Sequence, residues 1–209
     1  MFGIHDIYLF VISGLLLSIM PGPDTLLIMA RSASQGFKAG SAAALGTGAG
    51  VMVHVLAAAL GMSAILATSA TAFLVVKYVG AAYIIWMAIG LLRSKPRAAA
   101  ATAAPPLPLR KIFGQGFLSN VLNPKVALFF LAFVPQFIDA DAPNKALAFI
   151  VLGIIFNFNS MLWCHALALF TARASASVKV GPKVAMWFGR ATGVLFIWLG
   201  IKLALSKQH

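Results

Sequence analysis

Residues 7–33 form an apolar run that is interrupted in its middle by Pro21, Gly22, Pro23 and Asp24. About 20 apolar residues suffice for a helix to cross a bilayer, so this run is a spanning helix with a break inside it. The break frees backbone N–H and C=O groups that hydrocarbon cannot satisfy. Such backbone persists only where protein or a water-filled cavity receives it. Residues 112–138 repeat the design, with a break at Asn123 and Pro124 followed at once by Lys125. Shifted by 101 positions, Ser18 falls on Ser119, Pro23 on Pro124 and Asp24 on Lys125. The fold must therefore serve two interrupted spans, one carrying an acid and the other a base.

The rest of the chain agrees with a membrane setting. Of its 209 residues, 61% are hydrophobic and 10% charged, against about 25% charged in soluble domains. Mean hydropathy is +0.96. Water-soluble classes are excluded, and because the runs are continuous and not alternating, the spans are helices. The expected fold is an all-α membrane protein with six transmembrane helices, at about 7–33, 41–66, 71–92, 112–138, 145–171 and 184–205. Helices 1 and 4 are broken at proline. Residues 1–209 form a single transmembrane domain: one repeat over about 1–92, a linker over about 93–111 rich in Ala and Pro, and a second repeat over about 112–209. The N-terminus lacks a basic region and an obvious cleavage site, so the first run reads as a retained helix.

The net charge of +12 does not point to nucleic acid, because the cations cluster in short connections, where membrane topology explains them. Arg31 and Lys38 follow the first helix. Arg93, Lys95, Arg97, Arg110 and Lys111 follow the third. Arg173, Lys179 and Lys183 follow the fifth, with Arg190 just after. Lys77, Lys145, Lys202 and Lys207 lie on the other side. The positive-inside rule puts the three richer connections in the cytoplasm and both termini in the periplasm. Cys164 is alone, so neither an intrachain disulfide nor a thiolate metal cluster is available. No cofactor is expected.

Two further correspondences join the halves: Lys77 and Gly80 with Arg190 and Gly193, and His54 with His165. Three helices per half is an odd number, so the repeats would be inverted. Interrupted helices in corresponding positions of inverted repeats mark a secondary-transporter site near the midplane. A half-helix that begins at Pro23 or Pro124 offers free N–H groups and a positive dipole end to a carboxylate, and proline suits its first turn. Asp24 would serve an ammonium group or a proton. Lys125 would serve a carboxylate or pair with Asp24. The candidate substrate-binding residues are Pro21, Gly22, Pro23, Asp24, Asn123, Pro124, Lys125 and Asn157. The candidates for proton coupling are Asp24 and His54. The plainer alternative is a pair of kinks locked together by an Asp–Lys contact. Two matched breaks of opposite charge favour the carrier, since an ionised side chain at mid-bilayer costs about 2.5–3.5 kcal/mol on insertion scales.

Other polar residues stay open. Asn157 and Ser160 share a face of the fifth helix and either line a cavity or bond between helices. His54 is either a proton relay or a packing side chain. Lys77 and Arg190 are expected to snorkel, the tryptophans to anchor or pack, and Cys164 to be buried. The Gly46–Gly50 spacing suits close packing within one chain or in a homodimer.

Pro21-Gly22-Pro23-Asp24, Gly80-Ala81-Ala82-Tyr83-Ile84-Ile85-Trp86, Asn123-Pro124-Lys125 and Val134-Pro135-Gln136-Phe137-Ile138 resemble the LysE/RhtB family of bacterial amino-acid exporters over nearly the whole chain. The resemblance implies an inner-membrane carrier, not an enzyme, that exports amino acids and is driven by the proton gradient. It carries the broken-helix positions onto Pro21, Gly22, Pro23, Asp24, Asn123, Pro124 and Lys125. Besides Asp24, no acid lies within the apolar runs, which leans toward a neutral substrate such as threonine, homoserine or leucine. The alternatives are a divalent-metal carrier, which would want more carboxylate or carbonyl oxygens, and a structural membrane subunit, which would not need paired breaks.

Overall fold

The computed structural model describes residues 2–62, 70–93, 105–139 and 141–174, together with 186, 187, 190, 193, 194, 197, 198, 200, 201, 204 and 205. It is helical throughout, and among the described residues the single β-type pairing is an isolated bridge between Ile4 and Ile138. The first run is two helices, α1 (Ile7–Ile19) and α2 (Pro23–Gln35), bent by 56°. Pro23 opens α2 and Gly22 is its extended N-cap. Gly36 takes a φ of 78°, a conformation that favours glycine, and turns the chain directly into α3 (Phe37–Ala57). That helix continues through one π turn, Ala58–Met62. It starts earlier than expected because a single left-handed residue completes the turn.

Helix α4 (Ala70–Leu92) is the third expected span. The fourth is bent by 47° between α5 (Leu109–Val121) and α6 (Pro124–Leu128), which runs on through a π turn and a 3-10 turn to Phe137. Helix α7 (Lys145–Ala174) is unbroken. By length and composition, Phe37–Gly61 and Lys145–Ala174 are each able to cross a membrane, and each bent pair makes one further candidate, up to 4 in all. The sixth expected helix and most of the 93–111 linker lie largely outside the described residues. Those described between 186 and 205 are helical, with Gly193 against the Ala88 carbonyl and Gly200 against Ile85 of α4.

Helix α3 is the centre, packed on α2, α5 and α7. Its glycines permit this. A Cβ at Gly46 would overlap the Phe113 carbonyl, and one at Gly116 of α5 would overlap the Ala43 carbonyl. Small residues that let backbones meet replace the hydrophobic force that lipid does not provide between helices. A second core is aromatic. Phe129 lies 4.9 to 6.0 Å, ring centre to ring centre, from Phe10, Phe130, Phe133 and Phe156. The outer surface carries exposed apolar side chains such as Tyr8, Leu26, Leu122, Phe158 and Phe170, a pattern that marks membrane contact and not a soluble monomer. Lys77 is buried within the protein, with its ammonium 5.3 Å from the ring centre of Tyr78.

At one end of the bundle, buried Arg31 of α2 donates to the Pro105 carbonyl at 2.8 Å and to Gln115 Oε1 at 3.0 Å. Gln35 brackets Leu107, donating to its carbonyl at 2.9 Å and accepting from its N–H at 3.0 Å. At the other end the N-terminal strap pairs with the turn after Phe137. Asp139 N–H donates to the Gly3 carbonyl at 2.7 Å, and His5 N–H to the Phe137 carbonyl at 3.1 Å.

Candidate functional site

Each proline break creates a known deficit. Proline has no N–H, so Pro21 leaves the Leu17 carbonyl without its helical donor, and Pro124 does the same to the Asn120 carbonyl. The structure fills both from the opposite half of the chain. Lys125 Nζ donates to the Leu17 carbonyl at 3.0 Å and to the Met20 carbonyl at 3.2 Å. His54 Nε2 lies 2.9 Å from the Asn120 carbonyl, which also accepts from Asn123 N–H at 2.9 Å. A carbonyl can only accept, so His54 holds its proton on Nε2. The imidazole lies parallel to the Phe130 ring, 6.4 Å away.

Asp24 stands in the first turn of α2, where the helix dipole favours its charge. Its carboxylate accepts three hydrogen bonds from the other break: Ser119 Oγ at 2.6 Å, Asn120 Nδ2 at 2.8 Å and Asn123 Nδ2 at 3.0 Å. Asn123 is also the N-cap of α6, its Oδ1 accepting from Lys125 N–H at 3.0 Å. Of the two roles open to Lys125, pairing with Asp24 is not the one seen; among the described residues no ion pair joins them. The acid is met by neutral side-chain donors of the second half, and the base by backbone carbonyls at the end of α1, where the first break interrupts the helix.

Two cavities meet at Lys125. One, of about 30 Å³, is lined by Asp24, Thr25, Thr47, Asn120, Ser160 and Cys164 among others. It has room for about one water-sized molecule. The buried Thr47 Oγ1 and Asn120 Oδ1 on its wall have no hydrogen-bond partner among the described residues. Phe156 closes it toward the aromatic core. The other cavity, of about 480 Å³, is lined by both breaks and by the C-terminal half of α4.

Of the residues singled out in the sequence, Pro21, Gly22, Pro23, Asn123, Pro124 and Lys125 line the larger cavity, and Asp24 with Lys125 lines the smaller. Asn157 lines neither. Its Oδ1 is buried beside Gly48, while Phe156, Ser160 and Cys164 of α7 face the small cavity. His165 bonds back within its own helix, with Nδ1 2.8 Å from the Met161 carbonyl. Sequence reasoning missed Ser119 and Asn120 as partners of Asp24. Their signal was the run of polar side chains at 119, 120 and 123, one helical turn of donors leading into Pro124. Among the described residues no three His, Cys, Asp or Glu side chains are grouped to hold a metal ion.

Comparison with known proteins adds lineage to this geometry. The chain is 32% identical to a membrane protein of Pseudomonas aeruginosa, over 98% of the chain and 97% of the relative. It is 28% identical to a leucine efflux protein of Salmonella typhimurium, over 99% and 98%. It is 29% identical to a homoserine/homoserine lactone efflux protein of Salmonella typhi, over 97% of both. No solved structure matches significantly. Residues 15–207 match the family described as LysE type translocator. The chain, with its two cross-braced proline breaks, belongs to the LysE type translocator family.

Proposed function

We propose that this chain is a secondary carrier that exports neutral amino acids across the bacterial inner membrane in exchange for protons. The observation that carries the reading is the cross-bracing of the breaks: Asp24 of the first is held by Ser119, Asn120 and Asn123 of the second, and Lys125 of the second by carbonyls of the first. The reading takes six spanning helices in two inverted repeats, with periplasmic termini. Relatives named for leucine and homoserine efflux support amino-acid cargo and its direction.

The residues suggest how the cycle runs. An α-ammonium group brings a full positive charge and N–H donors to the carboxylate that now accepts from Ser119, Asn120 and Asn123. Substrate can thus replace the protein's own donors without leaving the carboxylate unpaired. Lys125 turns from its carbonyls to the substrate carboxylate. A proton on Asp24 competes with the ammonium for the same oxygens, and that competition couples the two fluxes. Pro21, Gly22, Pro23, Asn123 and Pro124 shape the wall, and His54, bonded to the Asn120 carbonyl, is the candidate relay. The aromatic core about Phe129 seals the side of the termini, while the larger cavity extends toward Arg93, on the cytoplasmic side of this topology.

The test is counterflow in proteoliposomes with a panel of amino acids, with and without a pH gradient. Neutral amino acids should exchange, and the gradient should drive net flux. Exchange of no amino acid would overturn the carrier. Flux indifferent to the gradient would overturn proton coupling, and preference for a basic amino acid would overturn the neutral cargo.

A further inference from the structure

Resting on the carrier reading, the geometry points to the cavity between α4 and the two breaks as the seat of the substrate's side chain, with Tyr83, Trp86, Ile89 and Gly90 setting the size of the apolar group it accepts. The cavity beside Asp24, about 30 Å³, cannot hold an amino acid, whereas the neighbouring one is about 480 Å³, within the ordinary range of small-molecule pockets. Lys125 lines both. A zwitterion with its ammonium toward Asp24 and its carboxylate on Lys125 therefore directs its remaining substituent into the larger space. Gly22 keeps that junction narrow and reachable, since even a Cβ there would stand 3.3 Å from Lys125 Nζ.

The wall opposite the breaks is apolar and partly aromatic. The Tyr83 and Trp86 rings lie 5.6 Å apart at 39°, and Ile89 and Gly90 continue the surface. The charged residues of the lining, Lys125 and Arg93, are both cationic, and no Asp or Glu stands among them. A side chain carrying its own positive charge meets repulsion here, and an apolar one meets hydrocarbon. Gly90 marks the free space: a Cβ added there finds no atom of the described residues within 4 Å. A larger side chain at this lining position therefore takes up space beside the substrate. The competing occupant is a lipid acyl chain, because the cavity is open and Trp86 is 67% exposed.

The experiment compares the full-length wild type with Gly90→Leu and Trp86→Ala in proteoliposomes, reading counterflow of alanine, leucine and phenylalanine. Gly90→Leu should lower leucine exchange at least about tenfold further than alanine exchange, since one methylene in an apolar pocket is worth about 10- to 200-fold. Trp86→Ala should move preference toward phenylalanine. Thermal melting in detergent checks that both variants are folded, and either alone is sufficient. If all three proteins rank the amino acids alike, the cavity holds lipid and the inference fails while the carrier stands. If the wild type exchanges no amino acid, the carrier reading itself fails.

Discussion

Lys125 donates its ammonium to the Leu17 carbonyl at 3.0 Å, the very group that Pro21 leaves without a donor. His54 answers with the same service to the Asn120 carbonyl, which Pro124 leaves short. Each half of the chain repairs the break in the other. A buried acceptor left unsatisfied costs about 1–3 kcal/mol, so the first break leans on Lys125, whereas the Asn120 carbonyl of the second keeps its bond from Asn123 N–H and gains another from His54. The repair also ties the halves at the point where a carrier has to move.

Asp24→Asn is expected to abolish coupled export while the protein still inserts. Asparagine keeps one acceptor oxygen but loses the charge that an ammonium or a proton requires. Efflux from loaded vesicles driven by a pH gradient measures this, and rates equal to the wild type would remove Asp24 from the coupling step.

Lys125→Met should cost stability as well as transport. It strips the donor from two carbonyls, Leu17 and Met20, at a cost of about 1–3 kcal/mol. Substrate affinity should fall by roughly tenfold or more, which corresponds to ~1.4 kcal/mol. Unchanged affinity by equilibrium binding in detergent would dissociate Lys125 from the carboxylate.

His54 separates packing from proton transfer through two substitutions. His54→Gln can still donate to the Asn120 carbonyl and should melt within about 1 kcal/mol of the wild type, the usual worth of one hydrogen bond. His54→Ala should melt lower. If the imidazole relays protons, His54→Gln flattens the pH dependence of flux although the fold is intact. An unaltered pH profile assigns the ring to packing alone.

Gly46→Leu should collapse the α3–α5 contact, because the Phe113 carbonyl occupies the space a side chain needs. Overpacking typically costs about 1–3 kcal/mol, and backbone is less able to yield than a side chain. Yield and melting temperature in detergent should both fall, whereas Gly61→Leu, where a Cβ meets nothing within 4 Å among the described residues, should behave like the wild type.

Arg31→Ala should release the chain ahead of α5. The guanidinium holds the Pro105 carbonyl and Gln115, and exposed Arg110 and Lys111 lie just beyond. Limited trypsin digestion in detergent should cut there roughly tenfold faster if ~1.4 kcal/mol of local stability is lost. An unchanged rate would mean that Gln35 alone secures the segment.

The sequence by itself determined the two broken runs and the all-helical class. Hydropathy and proline are local properties, so the runs at 7–33 and 112–138, their interruption, and the charge beside each break were legible without coordinates. The Gly46–Gly50 spacing likewise announced a close helix contact, which α5 supplies. What the residues could not disclose was partnership. The sequence left Asp24 and Lys125 open to a substrate or to each other; the tertiary structure gives Asp24 to Ser119, Asn120 and Asn123, and Lys125 to Leu17 and Met20. The reason is that an unsatisfied backbone group in a membrane must be met by whatever donor folding brings near it. The position of that donor depends on the bend of each break and on which faces of α3, α5 and α7 meet. Asn157 and Ser160 make the same point on one helix: three residues apart and alike in polarity, one is turned toward Gly48 and the other toward the cavity beside Asp24.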